Sequence, residues 1–410
     1  MIRSRPGRIG LLCVLYLVQG LPFGFQVGAL PIYLREQGVG LAAIGYSTAL
    51  AAPWALKFLW APLIERFGGR RGRRKVWIVP VQLMMVLGFL VASQISVTTQ
   101  MVPLMVTLLV LNTLAATQDI AVDGLAIDLL PPEELGVGNA AQVVGYKIGM
   151  LLAGGVLVWA SAFLGWSGAF MVMAAVVAAV AIVVWSVDEG EESAHFETVA
   201  IESVGEIVRV LVTAMRRPTM GWALAVVATY KMGESLIDVM YKPFLLDQGI
   251  TASELGLWLG TWGMGASVAG SLTGGILATR IPLARLLMGW AAIRLIPECG
   301  QLGLAMGWLD VEMGAVVAVS LAEHFAGGAL TTVMFASMMG WVDRRIGATH
   351  FTALACVEVW GKSLAALFSG VMAERLTYAG TFGVGIFIGV AFLLLLTRVP
   401  PSGAAFQESS

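Results

Sequence analysis

Long apolar stretches separated by short polar breaks follow one another along almost the whole chain. A helix needs about 20 apolar residues to cross the hydrocarbon core of a bilayer, and these stretches reach that length. They lack the alternating pattern of membrane β-strands, so we predict helices. The expected twelve spans, numbered in chain order, are 9–31, 41–62, 76–96, 101–127, 137–160, 166–187, 219–245, 252–279, 286–308, 312–340, 349–373 and 378–397.

The longest polar segment, 188–217, divides these spans into two sets of six. The predicted domains are an N-terminal six-helix bundle over 1–187, a linker over 188–217 and a C-terminal six-helix bundle over 218–410. The second part of the linker carries apolar side chains at helical spacing. This pattern indicates a helix that lies along the membrane surface.

The two halves also echo each other weakly. A shift of 211 residues sets Gly136 on Gly347 and Lys147 on Glu358, as two pseudo-symmetric repeats would require. Small residues recur at four-residue spacing, which allows helices to approach closely. They are Gly20, Gly24 and Gly28, then Gly145 and Gly149, then Ala266, Gly270 and Gly274.

The composition agrees with an all-α membrane protein. The 410 residues are 58% hydrophobic and 12% charged, and the mean hydropathy is +0.84. Soluble domains carry roughly 25% charged residues. The net charge of −1 gives no attraction to nucleic acid. Because the chain has no HExxH, GxSxG, phosphate-binding loop or zinc-ligand spacing, we expect neither an enzyme nor a bound cofactor or metal.

Basic residues predict the orientation. Lysines and arginines of short loops mark the cytoplasmic side. The even-numbered connections carry Arg66, Arg70, Arg71, Arg73, Arg74, Lys75, Arg209, Arg216, Arg217, Arg280, Arg285, Arg344 and Arg345, and the odd-numbered ones essentially Arg35 and Arg375. We therefore expect both termini in the cytoplasm of a bacterium and the chain in its inner membrane.

Charged residues inside the spans are the candidates for chemistry, because a central charge costs about 2.5–3.5 kcal/mol even on insertion-based scales. The carboxylates are Asp119, Asp123, Glu234, Asp238, Glu298, Glu323 and Glu358. The bases are Lys57, Lys147, Lys231, Lys242, Arg294 and Lys362. Each of these groups is expected to face a partner or a wet cavity rather than lipid.

Asp119 and Asp123 are four residues apart and share one face of span 4. Two like charges in an apolar setting are unlikely to be ionised together, so the pair suits reversible proton binding. We predict that Asp119 binds the coupling proton and that Asp123 assists it. The alternative is a structural carboxylate paired permanently with Lys147 or Lys57.

Spans 7 to 11 hold further charged groups. Glu234 and Asp238 lie in a stripe on span 7 and are the second pair predicted to couple protons, although such a stripe can also be a self-satisfied ladder. Arg294 and Glu298 are predicted to form a structural pair on span 9. His324, beside Glu323, is either part of a proton relay or a packed histidine.

Several motifs resemble a known family. Residues 65–71 (ERFGGRR) look like the loop signature between spans 2 and 3 of the major facilitator superfamily, with Glu65 in place of its Asp. Motifs at 53–62 (PWALKFLWAP), 117–123 (TQDIAVD), 129–134 (LLPPEE), 145–147 (GYK) and 230–234 (YKMGE) resemble the AmpG-like muropeptide permeases, a branch that includes acetyl-CoA transporters.

The resemblance implies two six-helix bundles, a central cavity and alternating access, usually with proton-coupled uptake. The predicted gating residues at the cytoplasmic ends are Glu65, Arg66, Arg70 and Asp128. The predicted substrate contacts are Gln19, Gln118, Tyr146, Lys147, Tyr230, Lys231, Glu358 and Lys362. A contact between Lys147 and Glu358 that breaks during transport is one further hypothesis.

The predicted function is a proton-driven permease for an amphiphilic or anionic solute, with a muropeptide as the first candidate. Siderophores and CoA thioesters fit the same architecture. Two other classes stay open: a prenyltransferase-like enzyme, since Asp119 and Asp123 resemble half of an aspartate-rich signature, and a non-transporting assembly or receptor protein. We expect a monomer whose partners are a small-molecule substrate, protons and the lipid bilayer.

Overall fold

Helices account for most of the chain in the computed structural model, which describes residues 4–30, 33–34, 47–68, 74–186, 203–250 and 252–398. In the first half the helical segments are Arg5–Gly24, Phe25–Ala29, Ser47–Ala51, Ala52–Leu56, Lys57–Leu59, Ala61–Gly68, Lys75–Gln94, Val97–Leu129, Pro132–Glu134, Leu135–Leu151, Leu152–Val156 and Leu157–Ser186. In the second half they are Val204–Met215, Pro218–Thr229, Met232–Asp247, Ala252–Leu255, Gly256–Trp262, Gly263–Leu277, Leu283–Ala305, Met313–Trp341, Arg344–Ile346 and Gly347–Leu396. The predicted all-α membrane fold is confirmed.

Within the described ranges, seven helices are long and apolar enough to cross a membrane by themselves. Span 7 falls short because its helix is interrupted between Thr229 and Met232. Spans 11 and 12 follow each other in one helical stretch, Arg344–Leu396, which turns at Thr377. The helix Val204–Met215 agrees with the amphipathic pattern predicted for the end of the linker, and the linker's first part, 188–202, lies outside the described residues.

The internal repeat has a backbone counterpart. Gly165 turns the chain between spans 5 and 6 with φ 66° and ψ 170°. Thr377 turns it between spans 11 and 12 with φ 64° and ψ 173°. The two positions are 212 residues apart, close to the shift of 211 found in the sequence, and Thr377 adopts this positive φ without the freedom of a glycine.

Two compact units make up the chain. Unit 1 comprises Met1–Pro131, Ala141–Leu211 and Asp343–Thr352, and unit 2 comprises Pro132–Ala140, Val212–Val342 and Ala353–Ser410. Each unit therefore includes a short segment that the predicted domain boundaries would assign to the other half.

Small residues bring helices together inside each unit, as their spacing predicted. In unit 1, a Cβ at Gly149 of span 5 would overlap the carbonyl oxygen of Leu17 in span 1. In unit 2, a Cβ at Gly270 of span 8 would overlap the carbonyl oxygen of Phe325 in span 10. These contacts fix which faces of the helices meet, and so which side chains share the interior of each unit.

Candidate functional site

The interior of unit 1 joins one lysine to two aspartates. Lys57 lies at a short 3₁₀ turn, Lys57–Leu59, that interrupts the helix of span 2. Its Nζ forms an ion pair with Oδ2 of Asp119 on span 4. Lys57 is the base for which the described contacts show an ion pair with this aspartate pair. The structure thus contains the pairing with Lys57 that the alternative interpretation of Asp119 required.

Asp123 lies one helical turn beyond Asp119 and is 1% exposed. The Tyr16 hydroxyl donates to its Oδ1 at 2.7 Å, and Nε2 of Gln142 donates to the same oxygen at 3.3 Å. Both donors are neutral, so Asp123 has hydrogen bonds but no counter-ion among its described contacts. Three buried groups therefore carry two potential negative charges and one positive charge.

Aromatic rings line the same unit beside Lys57. Phe23 of span 1, Trp54 of span 2 and Tyr146 of span 5 contact one another, with centroid separations of 6.0, 5.9 and 6.3 Å. Trp54 also donates from Nε1 to Oδ1 of Asn112 at 3.1 Å. Each ring is partly exposed, and Tyr146 is among the substrate contacts that the sequence analysis proposed.

Two predicted substrate contacts are buried in this conformation. Gln19 and Gln118 are both 0% exposed. Nε2 of Gln118 donates to the Leu15 carbonyl at 3.4 Å, whereas neither amide atom of Gln19 has a described hydrogen-bond partner. A solute could reach them only after a rearrangement of spans 1 and 4. Lys147, by contrast, is partly exposed.

The interior of unit 2 is built around a break in span 7. The helix stops after Thr229 and resumes at Met232, and Tyr230 and Lys231 occupy the turn. The Tyr230 hydroxyl donates to Oε1 of Glu358 at 3.4 Å, and the Lys362 ammonium lies 3.0 Å from the same oxygen. Interrupted helices at membrane depth occur where the backbone is buried in protein or faces a cavity.

Arg294 links spans 7 and 9. Its Nη1 donates to Oε2 of Glu234 at 2.7 Å, and its Nε lies 3.0 Å from Oε1 of Glu298. The predicted pair with Glu298 is present, and the link to Glu234 was missed. Asp238, the other predicted proton carrier of span 7, is exposed and has no described ion pair. Glu234 and Asp238 lie on the same helix but differ in their described ion pairs.

A third cluster lies at the arginine-rich end of unit 1. Arg74 donates from Nη2 to Oε1 of Glu65 at 2.7 Å and from Nε to Oδ2 of Asp128 at 3.0 Å. The other oxygen of Glu65 accepts the backbone N–H of Thr349 at 2.8 Å. Thr349 belongs to the first turn of span 11, where unpaired N–H groups and the helix dipole favour a carboxylate.

Arg74 is sealed inside this cluster. Its side chain is 3% exposed, and a Cβ at Gly124 would lie 2.7 Å from its Cζ, so glycine is needed beneath the guanidinium. Burial by itself lowers the pKa of Arg74, but the charges of Glu65 and Asp128 outweigh burial and hold the pKa above its ordinary value. The guanidinium therefore stays charged at every accessible pH.

The four predicted gating residues do not all belong to this cluster. Glu65 and Asp128 are in the cluster, whereas Arg66 is exposed, with its guanidinium 5.5 Å from the centroid of the Phe67 ring. Arg70 lies outside the described residues. Arg74 was noted in the sequence only as one of several loop bases, because spacing alone does not distinguish the arginine that turns inward.

Tyr16 was also missed as a site residue. Its position three residues before Gln19 in an apolar run was a usable signal, since a buried tyrosine hydroxyl needs a hydrogen-bond partner. The carboxylate of Asp123 supplies that partner across 107 residues of sequence.

Comparison with known proteins agrees with this architecture. The family described as Acetyl-coenzyme A transporter 1 matches residues 8–162. The anhydromuropeptide permease of Escherichia coli strain K12 is 27% identical over 392 residues, covering 95% of this chain and 79% of that protein. A transporter named AmpG 4 from Rickettsia felis is 24% identical, covering 93% of this chain and 94% of that protein.

Two solved structures share the fold. The fucose:proton symporter FucP of E. coli superposes with a TM-score of 0.71 at 12% identity and covers 96% of this chain and 99% of its own. The proton:xylose symporter XylE gives a TM-score of 0.68 at 10% identity and covers 97% of both chains. The chain therefore has the fold of the major facilitator transporters. Its sequence is similar to the AmpG-like permeases, as its motifs predicted, and these relatives indicate a multi-pass membrane transporter.

Proposed function

We propose that this chain is a proton-coupled importer of an anhydro-sugar peptide in the inner membrane of a bacterium. The observation that carries the coupling is the shared lysine: Asp119 and Asp123 are both buried and have one described base, Lys57, between them. With both aspartates ionised this group has a net charge of −1, and one proton makes it neutral. A low-dielectric interior favours the neutral state strongly.

The geometry favours a division of roles different from the one predicted from sequence. Lys57 forms its described ion pair with Asp119, whereas the described hydrogen bonds of Asp123 come from the neutral donors Tyr16 and Gln142. In our proposal Asp123 therefore holds the coupling proton. Asp119 and Lys57 form the fixed pair that keeps the remaining charge balanced while the proton enters and leaves.

The substrate class rests on the relatives and on the residues beside the lysine. The E. coli relative is named an anhydromuropeptide permease. Such a solute combines sugar rings with carboxylates. Within unit 1, the partly exposed rings of Phe23, Trp54 and Tyr146 suit the apolar face of a sugar, and the ammonium of Lys147 suits a carboxylate. A CoA thioester is the second candidate, favoured by the family match over residues 8–162.

Uptake into proteoliposomes tests the proposal. Purified chain is reconstituted, a proton gradient and a membrane potential are imposed separately, and uptake of labelled anhydro-muropeptide is compared with that of acetyl-CoA and a ferric siderophore. We expect accumulation of the muropeptide driven by either gradient. Accumulation of acetyl-CoA instead would select the second candidate, and absence of flux for every solute would favour an assembly or receptor protein.

Cysteine labelling tests the proposed orientation. After replacement of Cys13, Cys299 and Cys356, we expect Ser203→Cys in the middle of the linker to resist a membrane-impermeant thiol reagent in intact cells whose outer membrane has been permeabilised. Asp310→Cys, on the exposed turn between spans 9 and 10, is the matched control and should be labelled. The reverse pattern would invert the topology.

A further inference from the structure

Glu323 and His324 of span 10 form a hydrogen-bonded pair that the proposed coupling group in unit 1 does not use. Nδ1 of His324 lies 2.9 Å from Oε2 of Glu323 and 2.9 Å from the backbone carbonyl oxygen of Ser320. Both neighbours are acceptors, so Nδ1 carries a hydrogen atom. The geometry thereby assigns the tautomer, and Nε2 is the nitrogen that gains or loses a proton.

Gly263 of span 8 packs against this side of the His324 ring. A Cβ at Gly263 of span 8 would lie 2.8 Å from Cδ2 and 2.9 Å from Nε2 of His324, so the ring packs where only a glycine fits. The His324 side chain is 26% exposed, against 9% for Glu323. The carboxylate is thus held inside the unit, while the imidazole is partly exposed.

The charged groups on the neighbouring spans already balance one another. Span 7 faces the pair with Glu234 and Asp238 and also carries Lys231 and Lys242. Span 9 brings Arg294 and Glu298, and span 11 brings Glu358 with Lys362. The segment 256–277 of span 8, which packs along span 10, contains no titratable residue.

The side-chain charges in the interior of unit 2 do not cancel: with His324 neutral, one negative charge remains. Among the described residues of spans 7, 9, 10 and 11, the buried and partly buried carboxylates are Glu234, Glu298, Glu323 and Glu358. The buried and partly buried permanently charged bases are Lys231, Arg294 and Lys362, while Asp238 and Lys242 are exposed and of opposite charge. Protonation of His324 supplies the fourth positive charge, and it does so in contact with Glu323.

We propose that His324, held by Glu323, is a proton-binding site of unit 2, separate from Asp119 and Asp123. A proton from water adds to Nε2, which converts the neutral imidazole into an imidazolium and brings the interior charge of unit 2 to zero. Release of the same proton restores the single negative charge. The role of this site in transport rests on the proposed coupling, whereas proton binding itself does not.

Proton binding can be observed without transport. The full chain is labelled with ¹³C at Cε1 of its three histidines, reconstituted in nanodiscs and titrated between pH 5 and 9, and His324→Gln identifies the His324 resonance. We expect that resonance to shift reversibly within this range. In Glu323→Gln, which keeps the size of the side chain but removes its charge, we expect at least a tenfold loss of proton affinity, that is, a midpoint about one pH unit lower.

His350 is an internal control, because it is 1% exposed and its Nδ1 accepts the backbone N–H of Asp343. Its resonance should not respond to Glu323→Gln. A His324 resonance that does not move between pH 5 and 9, or a midpoint unchanged in Glu323→Gln, would overturn the site. If His324 titrates as expected but uptake by the native chain ignores pH and voltage gradients, the proposed coupling fails while this site stands.

Discussion

Asp123→Asn is expected to abolish accumulation of the solute while leaving solute binding and downhill exchange intact. An asparagine oxygen still accepts the hydrogen bonds from Tyr16 and Gln142, so the local structure is retained. The amide cannot alternate between protonation states, so the proton gradient no longer drives the cycle. A potential of 100 mV supplies about 2.3 kcal/mol per charge, which corresponds to roughly a 50-fold concentration ratio that the variant should lose.

A matched set of variants separates Asp123 from Asp119. Asp119→Asn leaves Lys57 with Asp123 as its nearest carboxylate, which should hold Asp123 ionised and also block accumulation. Replacing the whole ion pair, as Lys57→Met with Asp119→Asn, removes that constraint and leaves Asp123 as the titrating group. We expect this double variant to recover gradient-driven accumulation, measured in the same proteoliposomes.

The opposite outcome identifies the other aspartate. If the double variant binds solute but never accumulates it, while Asp123→Asn concentrates solute as well as the native chain, then Asp119 carries the proton, as the sequence analysis predicted. Counterflow exchange of labelled solute checks in every variant that binding is preserved.

Arg74→Met is expected to destabilise unit 1 by about 3–5 kcal/mol, because it leaves buried Glu65 without its cationic partner. Glu65 is 4% exposed and cannot be hydrated in place. Asp128 loses less, since 38% of its side chain is exposed and water can replace the guanidinium. The thermal unfolding midpoint in detergent and the yield of folded protein measure the effect.

Two variants make this result specific. Arg66→Ala also removes a loop arginine, but its exposed side chain should contribute little to stability, so its unfolding midpoint should stay close to that of the native chain. Arg74→Met combined with Glu65→Leu removes the stranded charge and should recover much of the lost stability. Equal losses for Arg66→Ala and Arg74→Met would show that the cluster has no special role.

Much of the fold could be predicted because membranes impose a simple rule. Every backbone polar group in hydrocarbon must be satisfied within the helix, so apolar runs of sufficient length report the spans directly. The repeat could be detected for a related reason: Gly165 and Thr377 occupy the same kind of turn at nearly the spacing that the sequence shift gave. The breaks at Lys57 and Lys231 were not predicted, because the nearby Pro53 and Gly233 lie inside helical segments rather than at the breaks.

The sequence by itself determined the class of protein, the spans and the set of charged residues that must avoid lipid, because hydropathy and the cost of a buried charge are local properties. Only the tertiary structure decided which charges are partners. In the structure Lys57 pairs with Asp119, Arg294 with Glu234 and Arg74 with Glu65, and Tyr16 donates a hydrogen bond to Asp123. The contacts of Asp119, Asp123 and Glu234 join different helices, and they depend on close approaches such as Gly149 against Leu17 that set the rotation of each helix. That rotation is a property of packing, which residue spacing along one helix does not encode.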